Sequence, residues 1–169
     1  LALLVVLGYS LTKRFTALCH LILGLGLSLA PIGAYLAVTG HFDVLPLFFS
    51  FAVLFWVSGF DVIYALQDEA FDRNHKLSSI PVWLGKTNAL RLSKSLHVIC
   101  GLLIITAGIL GHFEIWYWIG AAIFNLLLIY QHTLVKPNDL SKVNLAFFTT
   151  NGLASVTFAI FVIADLYLQ

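Results

Sequence analysis

Long apolar runs broken by short polar stretches set the reading of this chain. Five runs are long enough to cross a hydrocarbon core of about 30 Å as helices: 18–38, 45–64, 89–110, 116–133 and 145–166. The breaks are TGHFD, a longer polar segment at 67–88, GHFE, and VKPNDLSK, in which Pro137-Asn138-Asp139 is a turn signal. Ahead of them, residues 1–8 form an apolar stub of about 12 Å as a helix, too short to span. The pattern predicts an all-α, polytopic transmembrane helix bundle of five full spans and one partial one. The stub lacks the charged, apolar and small-residue layout of a signal peptide, and the chain has no methionine. Residues 1–169 are therefore expected to be the later part of a longer membrane domain.

Composition agrees with the runs. Hydrophobic residues make up 60% of the chain, charged residues 10%, and the mean hydropathy is +0.97, far from the usual soluble mixture. The net charge of +1 conceals a strong segregation. With alternating sides, Lys13, Arg14, Arg73, Lys76, Lys86, Arg91, Lys94, Lys136 and Lys142 all fall on one face. The other face has Asp43, Glu114 and Asp165 and no Lys or Arg. The positive-inside rule then puts the basic face in the cytoplasm, and the expected location is a bacterial inner membrane with the lipid bilayer as solvent. These basic residues mirror membrane topology and form no aromatic-interleaved stripe, which argues against nucleic acid as a partner.

Most other signals read as packing. Cys19 and Cys100 stand singly in apolar runs. Gly24-Leu25-Gly26 lacks the third glycine of a dinucleotide fingerprint. Gly26, Ala30 and Ala34 have the four-residue spacing that lets helices approach closely, and Pro31 is expected to kink the same span. His20, His97 and His132 lack metal-ligand spacing and are read as interfacial or satisfied; Asn125 and Asn151 are read as interhelical bonds, with Asn151 on the functional half of its helix.

The segment DVIYALQDEAFD, Asp61 to Asp72, is different, because it sets four carboxylates directly after an apolar span. An Asp at the centre of a membrane helix costs about 2.5–3.5 kcal/mol, against about 0.3–0.6 returned by each large aliphatic residue, so Asp68, Glu69 and Asp72 belong at the interface. If one helix runs through the motif, Asp61, Asp68 and Asp72 lie within about 40° of each other, with Tyr64 at the edge and Glu69 pointing away. Such a stripe is either a solvated acidic helix end or a site for a hard cation such as Mg²⁺. The stretch YSLTKRFT puts Tyr9 and Lys13 one turn apart, then Arg14, on the same membrane face. These cations are either interfacial anchors or partners of an anion. Carboxylates and cations at one mouth of a helical bundle suit a diphosphate with a lipid tail.

DVIYALQDEAFD followed by RNHKLSSIPVWLGK resembles the second aspartate-rich motif of the UbiA superfamily of intramembrane prenyltransferases, DxxYAxxDxxxD with SIP and a glycine after it. YSLTK is similar to that family's YxxxK helix. KRFTALCHLILGLGLSLAPIGAYLAVTG is most similar, within the superfamily, to 4-hydroxybenzoate polyprenyltransferases. The resemblance covers essentially the whole chain. It implies a bundle of about nine helices with two aspartate-rich motifs facing across a cavity. The first, NDxxDxxxD, has no counterpart in the 169 residues. It is expected upstream of Leu1, and the chain alone is expected to be inactive.

The implied reaction is transfer of a polyprenyl group from polyprenyl diphosphate to an aromatic acid acceptor, 4-hydroxybenzoate first, in quinone biosynthesis. Asp68, Asp72 and Asp61 would hold Mg²⁺. Lys13, Arg14, Arg73 and Asn151 would bind substrate, and Tyr9 and Tyr64 would face the allylic cation. A naphthoate acceptor, as in menaquinone synthesis, is the alternative within the same chemistry. A cation or proton transporter is the rival from another class; it needs ionisable groups near the membrane centre, whereas most acids here lie at one interface.

Overall fold

In the computed structural model, which describes residues 2–168, every long element is a helix. Leu1 of the expected stub lies outside the described residues. The elements are α1 (Ala2–Thr12), α2 (Cys19–Thr39), α3 (Leu45–Ala65), α4 (Glu69–Asn74), α5 (Ile80–Leu110), α6 (Ile115–Leu134) and α7 (Asn151–Tyr167), the last preceded by a π-helical segment, Leu145–Thr150. α3 is the hub, packed against α2 on one side and α5 on the other, while α6 pairs mainly with α7. The protein is an integral membrane protein: α2, α3, α5 and the joined segment Leu145–Tyr167 are long and apolar enough to cross a bilayer. The fifth expected run is α6, whose 20 residues also reach about 30 Å. Asn125, Gln131, His132 and its interfacial aromatics make it less apolar than the other four.

Close approach between helices is set by small residues. A Cβ on Gly24 of α2 would lie 2.3 Å from Ser58 Oγ and 2.5 Å from the Leu54 carbonyl of α3. Gly24 and Ser28 therefore form the tight seam. The expected Gly26, Ala30 and Ala34 stripe does not, since Ala30 and Ala34 are exposed. Between α3 and α5, Gly59 gives room for the His97 ring, and Ser93 Oγ donates to the Gly59 carbonyl at 2.7 Å. The polar segment at 67–88 is not one loop. It contains α4 and the start of α5, where Ser79 is extended and Pro81 occupies the first turn, the place where its missing N–H costs least. Helical geometry then breaks at Gly85 (φ 74°, ψ 160°), a conformation that favours glycine, before α5 resumes.

Two apolar clusters fill the interior. One, around Val62, Ile63, Leu66, Ile80, Leu134 and Val143, lies under the basic face. The other, around Ala52, Cys100, Ile104, Tyr117, Phe124 and Ala154, lies deeper. On the opposite face, the buried Asp165 of α7 accepts from the Glu114 N–H at 2.9 Å and the Tyr117 N–H at 3.1 Å. A carboxylate thus caps the start of α6 from another helix, satisfying donors that a helix cannot satisfy itself.

Candidate functional site

The acidic motif does not sit on one helix. α3 tightens as it ends: the N–H groups of Leu66, Gln67 and Asp68 donate to carbonyls three residues back, at 3.3, 3.4 and 3.1 Å. Each such step turns the chain about 120° instead of about 100°, so three of them rotate the next segment by about 60°. α4 then starts on its own axis at Glu69. The expected single stripe of Asp61, Asp68 and Asp72 is corrected accordingly: Asp61 and Asp68 line one pocket, while Asp72 is buried against Lys13.

Asp72 is fully buried, and its Oδ1 lies 2.8 Å from Lys13 Nζ. The contact is an ion pair by distance, without the alignment of a hydrogen bond, and Oδ2 has no hydrogen-bond partner among the described residues. Lys13 lies in the turn just after α1, and its carbonyl accepts from the Ser78 N–H at 2.7 Å. Asp61, in the last turns of α3, receives His20: Oδ2 to Nδ1 is 2.7 Å. The Ile80 N–H points at His20 Nε2 across 3.4 Å. Because a backbone N–H can only donate, Nε2 is the acceptor and Nδ1 carries the hydrogen given to Asp61. Asp68 has no side-chain partner among the described residues. Glu69 points elsewhere, bonded to Arg73 at 2.6 Å and 3.9 Å from Lys86.

Asp61 and Asp68 share a pocket of about 240 Å³ with Tyr9, Lys13, His20 and Tyr64. Every catalytic candidate drawn from the sequence except Asp72 therefore meets here, the metal candidates Asp61 and Asp68 among them. Asp72 supports the pocket from behind through Lys13. Arg14 and Arg73 do not line it: Arg14 is exposed, and Arg73 is spent on Glu69 with its side chain 60% exposed. Asn151 does not line it either.

Among the described residues, no three His, Cys, Asp or Glu side chains are grouped to hold a metal ion. The carboxylate trio expected for Mg²⁺ is thus not grouped among the described residues: Asp72 pairs with Lys13, and one oxygen of Asp61 accepts from His20. What remains at the pocket is Asp68 and the second oxygen of Asp61. That donor set fits a hard cation bound by one or two carboxylates, with waters and substrate phosphates completing its shell.

Deeper in the bundle lies an apolar cavity of about 460 Å³, lined by Pro31, Phe49, Ala52, Trp56, Phe124 and Phe158 among others. An aromatic ladder joins it to the polar pocket. Ring centroids are 5.5 Å apart for Trp56 and Phe60, 5.3 Å for Phe60 and Phe147, and 4.3 Å for Phe147 and Tyr64. Trp56, Phe60 and Tyr64 recur every four residues on one face of α3, a periodic signal that the sequence carries and that a search for charged motifs overlooks. Asn151 fixes the deep end: its Oδ1 accepts from Trp56 Nε1 and Gln131 Nε2, both at 3.3 Å. It bonds helices together, as its sequence position suggests, and orients Trp56. His20 escapes spacing rules as well, because they seek metal motifs and not a histidine that orders one carboxylate.

The pattern of the UbiA prenyltransferase family matches residues 1–153. The chain is 32% identical over 159 residues to a 4-hydroxybenzoate octaprenyltransferase of Nitrosomonas europaea, covering 94% of this chain and 54% of that protein. A protein of the same name from Nitrosomonas eutropha is 31% identical, covering 94% and 55%. The chain thus spans about half the length of these curated relatives. A solved apo structure of a UbiA homolog from Aeropyrum pernix K1 superposes with a TM-score of 0.87 at 29% identity, covering 98% of this chain and 62% of that one.

Proposed function

Because the chain belongs to the UbiA prenyltransferase family, we propose that it forms one side of the active site of a Mg²⁺-dependent enzyme that moves a polyprenyl group from its diphosphate to an aromatic acid. The observation that carries this reading is the order of surfaces along α3: a pocket of carboxylates and a lysine, then packed aromatic rings, then an apolar cavity. A diphosphate with a polyprenyl tail has the same polarity profile. The relatives named as 4-hydroxybenzoate octaprenyltransferases support 4-hydroxybenzoate as the acceptor, and the segregation of basic residues supports a cytoplasmic pocket in an inner membrane.

Lys13 reaches the diphosphate from a backbone pinned by Ser78, and Asp72 fixes its direction. Asp68, with Asp61 beside it, would hold Mg²⁺, which when bound supplies charge neutralisation for the departing diphosphate. His20 holds Asp61 in one orientation. When the C–O bond to the diphosphate breaks, the allylic cation left behind faces Tyr64 and Tyr9, whose rings each stabilise positive charge by about 0.5–2 kcal/mol. The apolar cavity takes the tail, the acceptor's ring carbon attacks the cation, and the ring proton passes to an oxygen of the released diphosphate or to water, which restores the aromatic ring.

The test is prenyl transfer by the full-length protein carrying Asp68→Asn or Glu69→Gln. Loss of a charge-stabilising group in a dry site costs about 2.7 kcal/mol or more, so Asp68→Asn should lower the rate at least about a hundredfold, with partial rescue by raised Mg²⁺. Glu69→Gln should be nearly silent, since Glu69 faces Arg73 and Lys86. Equal effects at both positions, with no metal dependence in the parent, would sink the reading. A panel of 4-hydroxybenzoate and naphthoate acceptors identifies the ring.

A further inference from the structure

α5 and α6 meet over a shorter stretch than the other neighbouring spans, and they leave a groove of about 330 Å³ on the side away from the apolar cavity. Cys100 and Ile104 of α5 and Phe124 of α6 face the cavity, whereas Val98, Leu102 and Ile105 of α5 and Leu128 and Ile129 of α6 line the groove. Leu102 and Ile129 are 58% and 64% exposed. The groove is mainly apolar along its length, interrupted by Asn125, which lies beside Gly101 and whose amide nitrogen donates to the Ala121 carbonyl; its charged and most polar end is where Lys94, His97, His132 and Thr133 meet. That end lies on the basic face of the protein.

The polar end has a defined donor and acceptor layout. The Trp56 carbonyl can only accept, so His97 Nε2, 3.2 Å away, carries the hydrogen. The uncharged His97 ring then offers Nδ1 as an acceptor, and His132 Nε2 donates to it at 2.9 Å. This leaves His132 Nδ1 as a bare acceptor with no partner among the described residues. His97, only 4% exposed, locks the arrangement against α3. Lys94 is exposed and has no ion pair among the described residues, and no carboxylate lines the groove.

We propose that this groove binds an anionic phospholipid from the leaflet on the basic side, with the phosphate at Lys94, a headgroup hydroxyl at His132 Nδ1 and one acyl chain along Val98, Leu102 and Ile105. Length supports a single-leaflet lipid: from Lys94 to Ile105 a helix rises about 16 Å, close to half of a hydrocarbon core of about 30 Å. Charge supports the anion, because a basic cleft between membrane helices on the cytoplasmic side is the usual form of an acidic-lipid site. Phosphatidylglycerol, which combines one negative charge with two free hydroxyls, matches both polar groups.

The experiment measures lipid binding to the full-length protein in detergent, by native mass spectrometry and by ligand-dependent thermal stability, with phosphatidylglycerol and phosphatidylcholine of identical acyl chains. Phosphatidylglycerol should bind saturably and more tightly. Lys94→Gln should weaken it about fivefold, the weight of one lysine at a membrane surface, and Lys94→Arg should retain it. Leu102→Trp, which fills the groove, should weaken both lipids. Equal affinity for the two lipids, or no change in Lys94→Gln, overturns the proposal. So does failure of a membrane-confined maleimide to label a cysteine at Ile129 in a background without Cys19 and Cys100, since a second copy or another helix would then cover the groove.

Discussion

Lys13 and Asp72 make an asymmetric pair, and the asymmetry predicts unequal consequences of removing either partner. Asp72 is fully buried, whereas the Lys13 side chain is 28% exposed. Lys13→Met strands a carboxylate in the interior. Breaking a buried ion pair from one side costs about 3–5 kcal/mol, and water reaching the lysine end reduces this to about 2–3 kcal/mol. Asp72→Asn instead leaves a lysine that can swing its head into water along a flexible stem, at a cost of about 1 kcal/mol or less. The double variant removes the stranded charge, so it should be about as stable as Asp72→Asn alone. Chemical unfolding of the full-length protein in mixed micelles reads all four species. Equal losses in the two single variants, or a double variant as unstable as their sum, would show that Lys13 does not hold Asp72 and that the pocket wall is built otherwise.

Asp165→Ala removes the acceptor for the Glu114 N–H and the buried Tyr117 N–H at the start of α6 and should destabilise the protein by about 1–3 kcal/mol in the same unfolding assay; an unchanged midpoint would exclude the capping role. Single cysteines at His41 and His112, in a background without Cys19 and Cys100, should label from outside intact cells, and one at Asn138 only after permeabilisation; labelling of Asn138 and His41 from the same side would contradict the alternating spans.

The spans were legible because lipid leaves a helix few options: every backbone group must be satisfied internally, which forces long apolar runs and makes their ends visible. The runs 18–38 and 45–64 fall within a residue of α2 and α3. The start of α5 was missed by nine residues, 80 against 89, because Lys86, Asn88 and Arg91 hide a helix that begins at the interface before entering the membrane. Polar composition there reports proximity to water and not the absence of structure. The small-residue seam was misplaced for a related reason. Gly24 with Ser28 and Gly26 with Ala30 offer the same spacing on α2, and only the position of Leu54 and Ser58 on α3 decides between them.

At the site, residue types were legible and their pairing was not. Counting charges put Lys13 and the acids on one face, but extrapolating one helix through Asp61 to Asp72 ignored the three tightened bonds at Leu66, Gln67 and Asp68, which nothing in those side chains announces. The physical lesson concerns charge compensation. Three carboxylates close together need compensation between them, and the sequence reading supplied it with a metal alone, whereas the fold supplies part of it with the Lys13 cation from the turn after α1 and with a hydrogen bond from His20 of α2. The carboxylates thereby divide their work. Asp72 aims a lysine, Asp61 is held by a histidine, and Asp68 lines the pocket with no side-chain partner among the described residues. A motif of this kind needs fewer metal ligands than it has acids, and the remaining demand falls on the substrate's own phosphate oxygens, so cation and diphosphate should bind to it together more tightly than either does alone.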